Sequence, residues 1–238
     1  MKHFCHKICL VVLACFSYLS ASAYDFEADG LYFTITSLKD LTVSVDGAVN
    51  KDTDKIVIPQ TVAYKNKSLT VTSVGDNAFK GYKNLQSVSF PKTVLSIGNS
   101  AFEKDSLLTG VVLPDSLLRI ESNAFFLCSS LESVNIPSNV TKIGYNAFHD
   151  CKSLRAIYVY AEKVPILPYN SCAFEGCDSK KCKVYVPIGT YDAYSRSEFG
   201  YFENIVEFDA SSFRNTIATA ENQDTTHYVV NDKKEHTH

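Results

Sequence analysis

Residues Ser122–Cys151 read SNAFFLCSSLESVNIPSNVTKIGYNAFHDC, and this stretch repeats itself. Asn123-Ala124-Phe125 returns as Asn146-Ala147-Phe148, 23 residues later, and a cysteine follows three residues after each Phe, at Cys128 and Cys151. Moving outward, the same small-Ala-Phe phrase stands at Asn77-Ala78-Phe79 and Ser100-Ala101-Phe102, again in steps of 23. A fifth copy, Cys172-Ala173-Phe174, follows Phe148 by 26 residues, so three residues are inserted there. Other positions keep step: Leu85, Leu108, Leu131 and Leu154; Val88, Val111, Val134 and Ile157; Pro91, Pro114 and Pro137; Ile97, Ile120 and Ile143. A fixed period of this length marks a repeat architecture and takes precedence over local propensities.

Each unit holds a Val-x-Φ-Pro run, a short strand of period two ended by a proline that cannot donate to a ladder. One such unit cannot bury its own apolar side, whereas stacked units share a continuous core and touch only their neighbours. The expected fold is a β-rich repeat solenoid with parallel strands, five or six coils of about 23 residues, capped at both ends. Equivalent residues then lie roughly 5 Å apart. Phe79, Phe102, Phe125, Phe148 and Phe174 become an internal ladder, and Cys128, Cys151 and Cys177 fill a second ladder position that Tyr82 and Asp105 occupy earlier.

The chain is divided as follows. Lys2 and Lys7, the apolar run Ile8–Phe16 and the small-residue site Ala21-Ser22-Ala23 read as a secretory signal peptide, residues 1–23, cut after Ala23. Lipidation at Cys15 is a second reading that Leu13 and the short run before it fit poorly. The run is too short to span a bilayer, and no later stretch is expected to do so. Residues 24–54 read as an N-terminal β cap, with strands at Leu31–Thr36 and Leu41–Val45. Residues 55–187 carry the repeats, with nine extra residues near Ala63–Val71 expected as a hairpin or surface loop. Residues 188–208 should close the open end with a short helix near Tyr191–Ser197. Residues 209–238 are polar and are expected to be a largely disordered tail.

The net charge is −3, and loss of Lys2 and Lys7 with the leader leaves −5, so nothing favours a nucleic-acid partner. Export permits disulfides, but the five cysteines that remain are an odd number. A Cys in the repeat slot is most simply a small buried residue. A Cys128–Cys151 disulfide is the alternative, at one coil spacing. Cys172 and Cys182 lie off the ladder and are the favoured disulfide, closing the irregular last loop. His149 is expected to face solvent. No phosphate loop, nucleophile elbow or zinc helix is found, and no metal or cofactor is expected. The chemistry is then that of a surface. Strand residues alternating with the buried column form an outward strip that includes Ser87, Ser89, Val112, Ser133, Asn135, Tyr158 and Tyr185, with Tyr160 beside it. Tyrosines beside small residues suit a binding face, because they bury large area at low entropic cost.

The pattern IGxxAFxxCxxLxxVxIPxxVxxI, over about residues 55–187, resembles the BspA-like leucine-rich repeat. AYDFEADGLYFTI and VYVPIGTYDAYSRSEFGYFENIVEF resemble the first and last segments of small exported members. Such last segments often carry a Trp; this chain has none, and Phe199 or Tyr201 is expected in that space. The resemblance implies a non-catalytic recognition module that binds a protein or glycan, with adhesion to host or microbial surfaces as its setting. Two alternatives stand beside it: an assembly subunit of a cell-envelope complex, and a hydrolase with an unrecognised site.

Overall fold

A computed structural model describes residues 24–210. The expected leader (1–23), and the expected tail from residue 211 onward, lie outside the described residues.

The chain winds as a coil with two sheets. Strands β1 (Phe26–Ala28), β2 (Leu31–Ser37) and β3 (Thr42–Ala48) begin it, followed by β4 (Lys55–Val57), β5 (Thr61–Tyr64) and β6 (Lys67–Val74). The repeats then alternate β7 (Ser87–Ser89), β8 (Ser96–Ile97), β9 (Gly110–Val111), β10 (Arg119–Ile120), β11 (Ser133–Ile136), β12 (Lys142–Ile143) and β13 (Ala156–Val159). The end is β14 (Lys183–Pro187), helix α1 (Tyr191–Ser195), a 3-10 turn at Glu198–Tyr201 and β15 (Asn204–Phe208). One sheet runs β15-β14-β13-β11-β9-β7-β4 and is parallel throughout. The other runs β1-β2-β3-β6-β8-β10-β12, with β5 paired to β6.

The Val-x-Φ-Pro strands belong to the first sheet, in register: Val134 opposite Val111 and Ile157, Val184 opposite Ile157. The recurring Ile97, Ile120 and Ile143 lie on β8, β10 and β12, the parallel end of the second sheet, where the strands are only two residues long. So short a strand has no alternation to display, which is why the sequence shows this sheet only as a repeated isoleucine.

The Asn-Ala-Phe phrase makes the turn between coils. Asn77, Ser100, Asn123 and Asn146 all have positive φ, between 52° and 58°. Asn tolerates this left-handed conformation better than most L-residues. Two residues after each Phe the backbone is left-handed again, at Gly81, Lys104, Leu127, Asp150 and Gly176. The turn thereby presents alternate N–H groups to the next coil: Asn123 to the Tyr145 carbonyl at 2.7 Å, Phe125 to Ala147 at 2.8 Å and Leu127 to His149 at 2.9 Å. The Ala between is fully buried, and the Phe behind it enters the core. Rings 79/102, 102/125, 125/148 and 148/174 stack with centroids 5.4, 5.2, 5.2 and 5.7 Å apart. Coils approach closely where Gly144 passes its predecessor; a Cβ there would lie 2.5 Å from the Ser122 nitrogen.

The extra residues of the first unit form the β5–β6 hairpin, turning at Lys65-Asn66, both with positive φ. The second half of β6 is the first coil's own strand, paired with β3 and β8. Caps close both ends. Phe33, Val43 and Val45 are fully buried in the first cap. The Tyr82 hydroxyl ties that cap down, accepting from Ala48 N at 2.9 Å and donating to Ala48 O at 3.1 Å. At the other end Phe199 takes the space expected for a Trp: it is fully buried, 4.9 Å from the Phe174 ring. Tyr201 stays half exposed and donates to the Cys177 carbonyl.

Candidate functional site

The cysteine column lies inside the turns. Cys128, Cys151 and Cys177 are buried free thiols. Each S–H donates back one coil, to the carbonyl of Phe102, Phe125 and Phe148, at 3.1, 3.3 and 3.3 Å. Burial raises all three thiols, Cys177 to about 12. They are packing residues with a committed donor, and the Cys128–Cys151 bridge is not formed.

The expected Cys172–Cys182 disulfide is also corrected: both are free. Cys172 occupies the left-handed position that Asn holds in the other units, beside Glu175 and Glu198. Cys182 is fully buried on the core side, next to Cys177. The two thiols stand in separate environments. His149 differs from expectation as well. Its ring packs against Phe126 at 5.3 Å and sits half buried beside Asp150, because the turn folds it onto the preceding coil.

The outward strip is a property of the seven-stranded sheet. Its short strands alternate, so the residues flanking each buried Val or Ile face away from the core. Ser87 and Ser89 are exposed, Val112 is half exposed, and Ser133 is partly exposed. Asn135 is partly exposed, but its amide is occupied: Oδ1 accepts from Leu113 N at 2.9 Å and Nδ2 donates to Leu113 O at 3.1 Å. It replaces ladder bonds that the two-residue β9 does not reach, so it is a poor ligand group. Tyr158 and Tyr185 are opposite one another in register and stack 4.7 Å apart, 8° from parallel. Tyr160 is corrected: it is buried, 7% exposed, although its backbone still bonds to the Ile136 carbonyl at 3.0 Å. There it meets the edge of Phe208 at 5.5 Å.

Phe208 and Val206 join this surface from β15, which the sequence reading took only as part of a cap. Val206 pairs with Tyr185 and is 42% exposed. Phe208 sets its ring edge-on to Tyr158 and Tyr185, at 6.3 and 6.2 Å. The alternation Ile205, Val206, Glu207, Phe208 was the available signal for a further strand. The face therefore runs from Val57, 59% exposed, over small polar residues to an aromatic cluster.

An open groove of about 890 Å³ lies beside the inserted loop, lined by Val140, Val164, Pro165, Ile166 and Pro187, with Glu162 and Lys163 at its rim. Among the described residues there is no group of three His, Cys, Asp or Glu placed to hold a metal ion. No helix among them is long and apolar enough to cross a membrane.

Known proteins share this architecture. A leucine-rich repeat protein from Bacteroides capillosus is 25% identical, matches 57% of this chain and 98% of its own, and superposes with a TM-score of 0.52. The T. pallidum leucine rich repeat protein is 24% identical over 78% of this chain and 82% of its own, at a TM-score of 0.58. A leucine rich cell surface protein from Faecalibacterium prausnitzii is 24% identical over 77% of this chain, at a TM-score of 0.54, and the match spans 54% of that longer chain. The last two establish likeness of fold. No curated protein sequence gives a significant match. Residues 54–181 match the BspA type leucine rich repeat region in six copies, a span that takes in every Phe of the ladder and the whole cysteine column. The chain belongs to the BspA type leucine-rich repeat family.

Proposed function

We propose that the protein is an exported, non-catalytic recognition module that binds a protein or glycan on the outward face of its seven-stranded sheet. Adhesion at a host or microbial surface is the proposed setting, and residues 1–23 are the proposed leader. The observation that carries this reading is the aromatic end of the face. Tyr158 and Tyr185 stack in register and are flanked by Val206 and the Phe208 edge. Their neighbours on one strand, Ala156, and on the next, Ser133, are small, so a ligand can lie flat across them. Aromatic groups on a rigid scaffold supply contact area with little ordering cost.

The test is a binding screen of purified residues 24–238 against arrays of extracellular matrix proteins and glycans. A saturable hit is expected. The double variant Tyr158→Ser/Tyr185→Ser should weaken it at least tenfold, while Val57→Ser, at the far end of the same face, should leave it intact. Unchanged affinity in the tyrosine variant would remove the aromatic end from the reading. A clean negative screen would move weight to the assembly-subunit alternative.

A further inference from the structure

One position in the cysteine column holds an acid. Counting back from Cys128 by one repeat gives Asp105, which is fully buried. Its Oδ1 accepts from the Tyr82 backbone N–H at 2.7 Å, while the neighbouring Gly81 N–H goes to the Glu103 carbonyl at 2.8 Å. Its Oδ2 is buried and receives no donor. Among the described residues no cation offsets the charge. Lys80 and Lys104 flank the turn, but both pair with Glu103. The titratable groups that face Asp105 are Tyr82 from the preceding coil and Cys128 from the following one; each has its own ionisation suppressed by burial. A carboxylate here would be a buried charge with half of its acceptors empty, a costly arrangement.

The repeat itself shows the alternative. In this slot Cys128, Cys151 and Cys177 each donate a proton to the Phe carbonyl one coil back. The same offset from Asp105 leads to the carbonyl of Phe79. We propose that Asp105 is retained as the neutral carboxylic acid in the folded protein, with its Oδ2 proton donated to the Phe79 carbonyl, so that the seam between these two coils is protonation-dependent. Desolvation also pushes this carboxyl up to about 8, against backbone donors that pull the other way.

The sign follows by linkage. The unfolded chain releases this proton near pH 4, whereas the folded chain keeps it to about pH 8. The folded state then binds more protons across that window, so stability is greatest below it and falls as pH rises through it. Asn is the fixed mimic of the neutral acid: its Oδ1 can accept from Tyr82 N–H and its Nδ2 can donate to Phe79 O.

The experiment is denaturant unfolding of the purified protein and of Asp105→Asn from pH 5 to 9, with the side-chain carboxyl ¹³C resonance of Asp105 followed in parallel. At pH 5, about one unit above the unfolded pKa, the ratio of folding constants should already have moved about tenfold toward Asp105→Asn from its value below pH 4. The ratio should then grow in favour of Asp105→Asn, by up to about tenfold per pH unit, and level off near pH 8. The carboxyl resonance should keep its protonated position at pH 6. Parallel stability profiles, or a resonance already at the carboxylate position at pH 6, would overturn the proposal. Asp105→Cys guards against an idiosyncrasy of Asn: it restores the column and should stay pH-independent up to about pH 8, above which ionisation of the unfolded thiol sets in.

Discussion

Replacing Phe125 by Ala probes the ladder at its centre. The ring is fully buried, and its two neighbours, Phe102 and Phe148, each stack on it at 5.2 Å and 6° from parallel. Two stacked contacts contribute about 0.5–1.5 kcal/mol each beyond burial. Removal of a buried Phe side chain with incomplete collapse costs about 3–5 kcal/mol in total. The rings on either side are held by backbone bonds from Phe102 to Ala124 and from Phe148 to Ala173, so they cannot close the gap by sliding together. The cost should fall near the top of that range. Its form should also be distinctive. Coils interact with nearest neighbours, so a fault in the middle uncouples the two halves. Unfolding in urea, followed by circular dichroism and by tyrosine fluorescence (the chain has no Trp), should change from one transition to two. Phe79→Ala, nearer the end of the ladder, should shift a single transition. Phe125→Leu, which keeps part of the apolar volume and loses the stack, should cost roughly 1–2 kcal/mol. A loss under about 1 kcal/mol for Phe125→Ala, or a Leu variant as damaged as the Ala variant, would refute the ladder as the source of cohesion.

Two further outcomes are expected. Lys104 is exposed and left-handed at φ 68°, in the slot that Gly81 and Gly176 fill elsewhere, so Lys104→Gly should stabilise the protein by about 0.5–1 kcal/mol in a thermal melt; a destabilised variant would show that the ion pair with Glu103 outweighs the backbone strain. At pH 8 a thiol reagent should titrate only Cys172 in folded residues 24–238, with Cys128, Cys151, Cys177 and Cys182 reacting at the rate of unfolding; fast reaction of a second thiol would contradict the buried column.

The family and the coil were legible in the sequence because the solenoid is nearly one-dimensional. A residue's spatial neighbour is its counterpart about 23 positions away, so Phe125 and Phe148 announce their contact in the text. The same logic exposed the outward strip, since period two fixes the faces of a strand. It failed where contacts cross the repeat. Tyr160 continues the strand pattern in sequence, yet it is buried beside Phe208, which belongs to a strand 48 residues on. Asn135 sits at an outward position, but the shortness of the neighbouring strand takes its amide. Cys172 and Cys182 are ten residues apart, and sequence distance says nothing about one pointing outward and the other inward.

The sequence by itself determined the period, the ladder residues, the place of the insertion in the first unit and the need for caps, because each follows from apolar spacing and from turn chemistry local to one unit. Tertiary structure alone decided the second sheet, the seventh strand that brings Val206 and Phe208 to the tyrosines, and the empty acceptor on Asp105. Those depend on how one coil seats against the next: a buried carboxylate oxygen without a donor is defined by the surrounding backbone, and no single repeat carries that information.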